Sequence, residues 1–367
     1  AQLVSGTTAQ DLTVDNINTT SINSGQTSGK KNLVINGAMN IAQRGTSSTS
    51  SGYATLDRFK LTIANTDQAA FTQKQVTDSP DDFSQSYEFD VTTAETSLDS
   101  NEYAFIGHRI EAQNLQSVKA NQVTLSFHVK AKQTGTYAIN IYQSDGNIQV
   151  TKTYTISQTA TWEKKTLTFP ANTGTQPNND NGFGWEIAWI MAAGSDLTSS
   201  DSTSWGTYSD AGFAFGQGVN VLSSTDNYFK ITGVQLEVGS TATDFEHRTF
   251  GEELALCQRY FFKVQGDQGD RVGIGGYATG SSEARFDAVF PVTMRSNPTL
   301  GGAGTAQFDS NPDSADFNCS SLTIDATPTG FISSIGLQIA TSSMTGGTSG
   351  GIRFRSNSSS ITFSAEL

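Results

Sequence analysis

The chain has 367 residues, and its 35 acidic and 22 basic side chains give a net charge of −13. This length suits two or three domains of ordinary size. The acidic balance argues against nucleic acid and anionic membrane surfaces as partners, because both require a basic protein surface. Only 16% of the residues are charged, and abundant turn formers in place of Glu-, Lys- and Leu-rich segments are typical of an all-β protein.

The cysteines and the apolar segments exclude two further classes of protein. Cys257 and Cys319 lie far apart and match no metal-binding spacing, so we expect two buried free thiols. No apolar run approaches the roughly 20 residues of a membrane-spanning helix. The opening residues AQLVSGTTAQ lack the basic and apolar parts of a signal peptide. We therefore expect neither membrane insertion nor a disulfide-rich secreted scaffold.

Residues 1–30 are predicted to form an arm rather than a domain. Their apolar side chains are too sparse to bury a core, which leaves either disorder or pairing with another chain. A short β-like alternation in DLTVDNINTTSIN favours pairing, so we predict that the arm serves attachment and oligomerisation.

Strand patterns dominate residues 31–248. In VTLSFHVKA, residues 123–131, apolar and polar side chains alternate as in a half-buried strand. The apolar phase of YFKITGVQLEV shifts at Gly233, which predicts a β-bulge. Many short strands with few helices between them predict a sandwich or barrel. Another strand candidate is FGWEIAWIM, with one face formed by Phe183, Trp185, Ile187, Trp189 and Met191.

Residues 249–264 contain the one convincing helix pattern. Thr249 and Glu252 have the spacing of a capping box. The apolar stripe of this helix consists of Leu254, Cys257 and Phe261. Residues 265–367 again show strand patterns between glycine-rich loops and are long enough for a smaller second β-sandwich. The helix is therefore predicted to connect two β domains.

No motif in the sequence marks a nucleophilic catalytic centre. A Ser-His-Asp triad would need a GxSxG turn to present its nucleophile, and the sequence has none. The polar run from Asp244 through Glu246 to Arg248 is interpreted as a hydrogen-bonded corner in which Arg248 pairs with a carboxylate. The histidines are dispersed along the chain, at His108, His128 and His247.

Other acidic residues offer two weaker candidates. A glycosidase needs two carboxylates that face each other across a cleft, and nothing in the sequence places Glu163, Glu186 or Glu237 in that way. The loop NPDSADFN contains Asp313 and Asp316 and could hold calcium, but the EF-hand spacing is missing and a solvated turn is favoured. RVGIGGYATG lacks the Lys-Ser/Thr ending of a phosphate-binding loop. We therefore predict no catalytic residue, no cofactor and no metal.

The four tryptophans all lie in the predicted first sandwich. Trp185 and Trp189 share the apolar face of one strand, so we expect them in the core. Trp205 lies near Tyr208 in the loop SSDSTSWGTYSDAG, and an exposed aromatic ring offers an apolar face for a sugar ring. Trp205 and Tyr208 are therefore the predicted ligand-contact residues.

Several motifs in order resemble a module of virion proteins from tailed bacteriophages. Its start is matched by KNLVINGAMNIAQRG and SGYATLDRFK, and its middle by VTLSFHVKAKQTGTYAI, ATWEKKTLTFPANTGT and GFGWEIAWIMAAGSD. Its end is matched by ITGVQLEVGSTATDFEHRTFGEELALCQRYFFKV. The resemblance covers about residues 30–264, and its specificity lies in the order of separate motifs. Residues 265–367 are similar to phage fibre tips, with FPVTMRSNPTL before a set of strands.

The resemblance implies a jelly-roll-like β-sandwich similar to carbohydrate-binding modules, followed by the connecting helix and a smaller tip sandwich. It also implies a structural protein of the virion surface, on tail or capsid, that is made in the bacterial cytoplasm. Phage fibres are usually trimers, and three arms of residues 1–30 could bury their few apolar side chains together. We therefore expect a homotrimer that binds other virion proteins through this arm.

Two functions fit these expectations. The first is a tail fibre or receptor-binding protein that contacts a host glycan or outer-membrane protein, with loops 201–210 and 341–351 as contact sites. The alternative is a capsid or tail decoration protein without a receptor role, which the lack of a long repetitive shaft favours. A glycan-degrading enzyme would need a groove with clustered acids, and the sequence shows no such cluster.

Overall fold

The computed structural model describes residues 21–22, 25–26, 31–66, 68–302, 306–310, 315–326, 332–340 and 344–367. Within the predicted arm, residues 1–30, the description covers two short strands that pair with each other, Ser21–Ile22 and Gly25–Gln26. The rest of the arm lies outside the described residues, so its roles in attachment and trimerisation stay predictions.

The regular secondary structure of the described chain up to residue 238 is mainly β-strand. Short 3₁₀ helices separate some of the strands, at Ala112–Val118, Ser195–Leu197, Asp210–Gly212 and Val221–Ser223. The strands are β1 (Ser21–Ile22), β2 (Gly25–Gln26), β3 (Ser47–Ser48), β4 (Phe59–Ala64), β5 (Ala70–Val76), β6 (Ser86–Thr93), β7 (Tyr103–Glu111), β8 (Val123–Ala131), β9 (Gly135–Gln143), β10 (Ile148–Ile156), β11 (Glu163–Phe169), β12 (Phe183–Ala193), β13 (Gly206–Thr207) and β14 (Tyr228–Val238).

Twelve of these strands form two six-stranded antiparallel sheets. The first sheet has the order β13-β10-β9-β12-β7-β4, and the second has the order β11-β8-β14-β6-β5-β3. The apolar faces of the two sheets share one core, in which Phe127 of β8 meets Trp189 of β12 with ring centroids 5.9 Å apart. Two sheets packed in this way form a β-sandwich, which confirms the predicted all-β, jelly-roll-like fold class.

The bulge predicted in β14 is present. The φ angle of Gly233 is +61°, and the pairing of β14 with β8 shifts register between Thr232 and Gln235. Because of this extra residue, Ile231 before the bulge and Val234 after it both enter the core.

A second bulge, in β12, overturns one prediction. The pairing of β12 with β7 shifts between Phe183 and Trp185, at Gly184. A Cβ at Gly184 would come within 2.7 Å of the Cα of Ala112, so close packing requires glycine there. Trp185 and Trp189 are in the core as predicted. Phe183 was predicted on the same face, but the shift leaves it outside the core cluster, so that prediction is wrong.

The predicted connecting helix is present but shorter. Helix α1 spans Phe250–Gln258 and begins with the predicted capping box. The backbone N of Glu252 donates to Thr249 Oγ1, and the backbone N of Thr249 donates to the Glu252 carboxylate. The thiol of Cys257 is buried and free, as is that of Cys319, and both findings confirm the prediction.

The second half of the predicted helix, within residues 249–264, is a strand. Phe261–Gly266 form β15, which pairs along its whole length with β24 (Ser359–Ser364). The sequence Phe-Phe-Lys-Val favours an extended backbone once a partner strand is available. The prediction that Phe261 belongs to the helical stripe is therefore wrong. Its ring instead packs against the guanidinium of Arg44, with 3.6 Å between the ring centre and Arg44 Cζ.

The C-terminal strands form the predicted second, smaller sandwich. One sheet has the order β15-β24-β18 and the other β20-β19-β23-β16-β17-β22-β21, and both contribute to a separate apolar core. The strands are β15 (Phe261–Gly266), β16 (Arg271–Ala278), β17 (Glu283–Met294), β18 (Thr299–Gly301), β19 (Ala306–Ser310), β20 (Ala315–Asn318), β21 (Ser321–Ala326), β22 (Ile332–Ala340), β23 (Ser349–Phe354) and β24 (Ser359–Ser364).

Polar contacts join the two sandwiches along a surface that we call the seam. Glu366 pairs with Arg58, which is fully buried, and with Arg44 at 3.1 Å. Glu111 at the end of β7 receives two hydrogen bonds from Arg259, at 2.7 and 2.9 Å. The seam thus connects side chains that are far apart in sequence. Among the described residues, no helix is long and apolar enough to cross a membrane.

Candidate functional site

A groove of about 760 Å³ lies on the outer face of the first sheet, the face turned away from the main core. Strand alternation places its residues there, because Ile106 and Ile110 of β7 enter the core while Phe105 and Arg109 point the other way. We call this cavity the outer groove.

One wall of the outer groove is formed by residues 194–218, which fold over the sheet. Leu197 and Phe213 of this segment pack on Phe105 and Ile190 of the sheet. Backbone hydrogen bonds fix the segment, among them Ala214 N to Leu197 O at 2.8 Å. The wall is therefore anchored to the sheet by both apolar packing and hydrogen bonds.

Aromatic rings line the outer groove in two groups. Phe183, Tyr142 and Tyr208 form a row, with centroid distances of 5.9 Å and 5.1 Å between neighbours. Tyr103 packs against Phe105 and Phe213 in the second group, with centroid distances of 6.0 and 5.9 Å. Tyr103, Tyr142, Phe183 and Tyr208 are half-buried, so part of each ring remains accessible.

Charged side chains stand among these rings, and most of them have partners. Arg109 Nε donates to Glu186 Oε1 at 2.7 Å, and its guanidinium lies 4.4 Å from the ring centre of Phe183. The hydroxyl of Tyr208 donates to Asp210 Oδ1 at 2.9 Å. Burial raises the pKa of Tyr208, and Asp210 raises it further. This hydroxyl therefore stays protonated and can act as a hydrogen-bond donor at neutral pH.

Small residues lie in the sheet between the side chains that line the outer groove. Gly107 of β7 pairs with Lys60 of β4 on one side and with Ala188 of β12 on the other. A Cβ at Gly107 would lie 3.1 Å from the Phe105 ring and 3.2 Å from Glu186 Oε1. A side chain at this position would therefore crowd Phe105 and Glu186, two of the residues that line the outer groove.

The two predicted ligand-contact residues border different cavities. Tyr208 lies in the outer groove. Trp205 borders a cavity of about 500 Å³ beside residues 170–175. Its Nε1 donates to Pro170 O at 2.8 Å, and its ring lies 5.5 Å from that of Trp185, so one side of the ring packs on the core. Ligand contact by either residue stays a prediction.

Sequence reasoning missed most residues of the outer groove. Tyr103, Tyr142 and Arg109 occupy positions that strand alternation assigns to solvent, and Phe183 was assigned to the core. A usable signal was present: aromatic residues recur on the outer face of two strands of the first sheet that flank β12, in YAF of β7 and IYQ of β9. Such a recurrence is unusual for a face that only meets water.

The polar run between Asp244 and Arg248 does have the geometry of a structural corner. Arg248 Nη1 donates to Val34 O at 3.1 Å and lies 3.3 Å from Glu253 Oε1. Glu246 Oε2 accepts a hydrogen bond from Asn32 N at 2.8 Å. These contacts hold the segment after residue 31 against the link.

The histidines do not gather into a site within the described structure. His108 is buried, and burial together with the nearby Arg58 guanidinium lowers its pKa well below the usual value. His128 and His247 both pack on Phe83, with centroid distances of 5.3 and 5.5 Å. In the part of the chain that the structure describes, no three His, Cys, Asp or Glu side chains are grouped to hold a metal.

Two predicted loops lie partly outside the described residues. Asp313 lies in residues 311–314, which are not described. Residues 341–343, the start of loop 341–351, are not described either. Residues 349–351 of that loop belong to β23. The predicted calcium loop and the predicted contact loop at 341–351 therefore stay untested.

No family model matches the chain, and no curated protein matches it. Among solved structures, the chain is similar to an enzymatically active domain of tailspike protein 4 from bacteriophage CBA120, with 16% identity and a TM-score of 0.32 over 56% of this chain and 21% of that one. It is also similar to a family 11 carbohydrate-binding module from Clostridium thermocellum, with 12% identity and a TM-score of 0.28 over 55% of this chain and 98% of the module. A xylan-binding domain from Paenibacillus barcinonensis gives 12% identity and a TM-score of 0.26, over 59% and 100% of the two chains. At TM-scores this low, the similarities carry no argument about what this chain binds.

Proposed function

We propose that the chain is a receptor-binding protein of a bacteriophage virion, on a tail fibre, and that it binds a host surface glycan in the outer groove. The observation that carries the proposal is the set of partly accessible aromatic rings that line the outer groove, those of Tyr103, Tyr142, Phe183 and Tyr208. The virion assignment is supported by the ordered motifs between residues 30 and 264.

The chemistry of the outer groove fits a sugar ring. The C–H faces of a pyranose are apolar and pack on accessible aromatic faces such as those of Tyr103 and Phe183. Its hydroxyls can donate to the carboxylates of Asp196 and Asp210 and to the oxygen of Tyr208, whose own proton is held by Asp210. A concave surface with an apolar lining and a few convergent polar groups is the usual form of a small-ligand site.

We infer binding without catalysis. Glu186 of the outer groove is engaged by Arg109 at 2.7 Å, and its charge is thereby neutralised. Asp196 accepts a hydrogen bond from the Ser100 hydroxyl at 2.7 Å, and Asp210 accepts one from Tyr208. Release of reducing sugar from a host polysaccharide by the purified protein would contradict this inference.

The proposal is tested by removing rings from the outer groove. Phe183→Ala and Tyr103→Ala should each weaken binding to host-cell polysaccharide about threefold to tenfold, the effect of losing about 0.5–1.5 kcal/mol of ring contact. Tyr277→Ala is the matched control, because this tyrosine is 53% exposed on the second sandwich, away from the groove. Unchanged polysaccharide binding by both folded groove variants would refute the groove as the binding site.

The location on the virion is tested by imaging particles labelled with an antibody against residues 265–367. Label at the outer ends of tail appendages is the expected result. Label spread over the capsid would instead make the chain a decoration protein, and no label on any particle would contradict the virion assignment.

A further inference from the structure

The outer groove contains one cation, Lys60, whose ammonium has no hydrogen-bond or ion-pair partner among the described residues. Lys60 lies on β4, the edge strand of the first sheet, where it pairs with Gly107 of β7, and it borders the outer groove. It is half-buried. Within the described part of the chain, its ammonium takes part in no hydrogen bond and no ion pair.

Three other basic side chains of this sandwich do have anionic partners. Arg109, the second cation of the outer groove, donates to Glu186 and, through Nη1, to Leu367 O at 2.7 Å. On the second sheet, Lys130 and Lys230 both pair with Asp78, at 2.9 and 2.8 Å. A half-buried ammonium without an anion has lost part of its hydration and gained no ion pair in return.

We propose that the outer groove selects glycans that carry an anionic group, a carboxylate or a phosphate on a sugar, and that Lys60 is the residue that binds this group. The inference rests on the proposed function and names its ligand class. An ammonium is a compact point charge with three donors, so it accepts either anion without a fixed geometry.

The electrostatics around Lys60 agree with this assignment. Burial lowers the pKa of Lys60, and the neighbouring Arg109 guanidinium lowers it further, while Glu186 acts in the opposite direction. Both lowering effects disfavour the ammonium, and an anionic ligand group placed against it would oppose them. An anionic ligand group would therefore add to the favourable effect of Glu186, a carboxylate that Arg109 already engages at 2.7 Å.

The acidic residues of the groove orient such a ligand rather than exclude it. Asp196 and Asp210 come from the covering segment 194–218, whereas Lys60 comes from the edge strand. Both carboxylates already accept hydroxyl donors, from Ser100 and Tyr208. A sugar can place its anionic group on Lys60 and present its hydroxyls to these carboxylates.

The test uses an array of bacterial polysaccharides in which each acidic polymer is also present after carboxyl reduction and after dephosphorylation. The full chain should bind a subset of the acidic polymers and lose that signal in the matching neutral form. Loss on carboxyl reduction assigns the anion as a carboxylate, and loss on dephosphorylation assigns it as a phosphate. A signal that survives both treatments would overturn the inference.

Variants of Lys60 then identify the residue. Lys60→Met should weaken binding to the acidic polymer about tenfold or more, the range expected for a hydrogen bond to a charged group. Lys60→Arg should restore most of the affinity because it restores the charge. Lys164→Met, at an exposed position on β11, is the control and should bind as the wild type does. Wild-type affinity of folded Lys60→Met would overturn the assignment.

The two proposals fail in different ways. Binding to neutral polysaccharides that requires Phe183 and Tyr103 but not Lys60 would keep the glycan-binding groove and remove its anion selectivity. Binding to no polysaccharide at all would remove the proposed function and the anionic ligand class together.

Discussion

A side chain at position 233 would have no room in the first sandwich. Gly233 has a φ of +61°, and a Cβ there would lie 2.5 Å from Phe83 Cζ and 2.9 Å from His128 Nδ1. We therefore expect Gly233→Ala to lower the free energy of unfolding by roughly 1–3 kcal/mol, the usual cost of a residue held in an unfavourable backbone region. Urea unfolding followed by tryptophan fluorescence measures this change.

The matched control for this prediction is Gly251→Ala. A Cβ at Gly251 would meet no atom within 4 Å, and the position lies in helix α1. Alanine is the better helix former, so this variant should be as stable as the wild type or more stable by up to about 1 kcal/mol. Equal stability of the two variants would show that the bulge tolerates a side chain.

The two glycine bulges show what the sequence can and cannot predict at the residue scale. The bulge at Gly233 was predictable because the apolar residues of β14 change phase on either side of it. The bulge at Gly184 leaves no such mark, since Phe183 is apolar and fits the alternating pattern. Its cause is the close approach of Ala112, a contact between distant segments that alternation does not report.

At the scale of elements, Arg248 fixes the first described segment of the sandwich. Its side chain is 7% exposed, and its guanidinium reaches Val34 O, Asn32 O and Glu253. Lysine carries one point charge in place of this planar fork. We expect Arg248→Lys to lower the free energy of unfolding by about 1.5–3 kcal/mol, the range for hydrogen bonds to charged groups.

Hydrogen exchange locates the effect of this substitution. The amide of Asn36, which donates to Glu253 Oε1 at 2.6 Å, should exchange faster in Arg248→Lys than in the wild type. Arg355→Lys, at an exposed position of the second sandwich, is the control and should change neither stability nor exchange. Unchanged protection of Asn36 in Arg248→Lys would contradict the structural role of this corner.

Helix α1 illustrates how element boundaries were predicted. Its start was found because the capping box is a local signal that involves only Thr249 and Glu252. Its end was missed because neither glycine nor proline follows Gln258, and Phe-Phe-Lys-Val is compatible with either structure. The choice of strand comes from pairing with β24, about 100 residues later.

At the scale of the whole molecule, two apolar cores are joined by the charged contacts of the seam. Glu366 reaches two arginines of the first sandwich, and Arg259 reaches Glu111. The sequence predicted both sandwiches from alternation within strands. It did not predict the seam or the outer groove, because their residues come from many strands and their meeting depends on the tertiary fold.

The seam makes the stability of the protein depend on pH through Glu111. The side chain of Glu111 is fully buried, and burial raises its pKa, but the hydrogen bonds from Arg259, Tyr260 and Gln113 outweigh this effect and lower it below the ordinary value of 4.5. A carboxyl with a lowered pKa binds fewer protons in the folded than in the unfolded state. Its stabilisation is therefore complete above its ordinary pKa and is lost as the pH falls below it.

We expect Glu111→Gln to lower the free energy of unfolding at pH 7 by about 1.5–3 kcal/mol. The difference from the wild type should shrink as the pH falls from 5 towards 3 (about the range in which an ordinary glutamate takes up its proton), since the wild type then loses the same charge. All four tryptophans lie in the first sandwich, so their fluorescence during urea unfolding follows this domain. The double variant Glu111→Gln with Arg259→Gln completes a double-mutant cycle. Its loss of unfolding free energy should be smaller than the sum of the losses in the two single variants. A difference that stays constant between pH 7 and 3, or single effects that simply add, would mean that the charge of Glu111 does not hold the seam together.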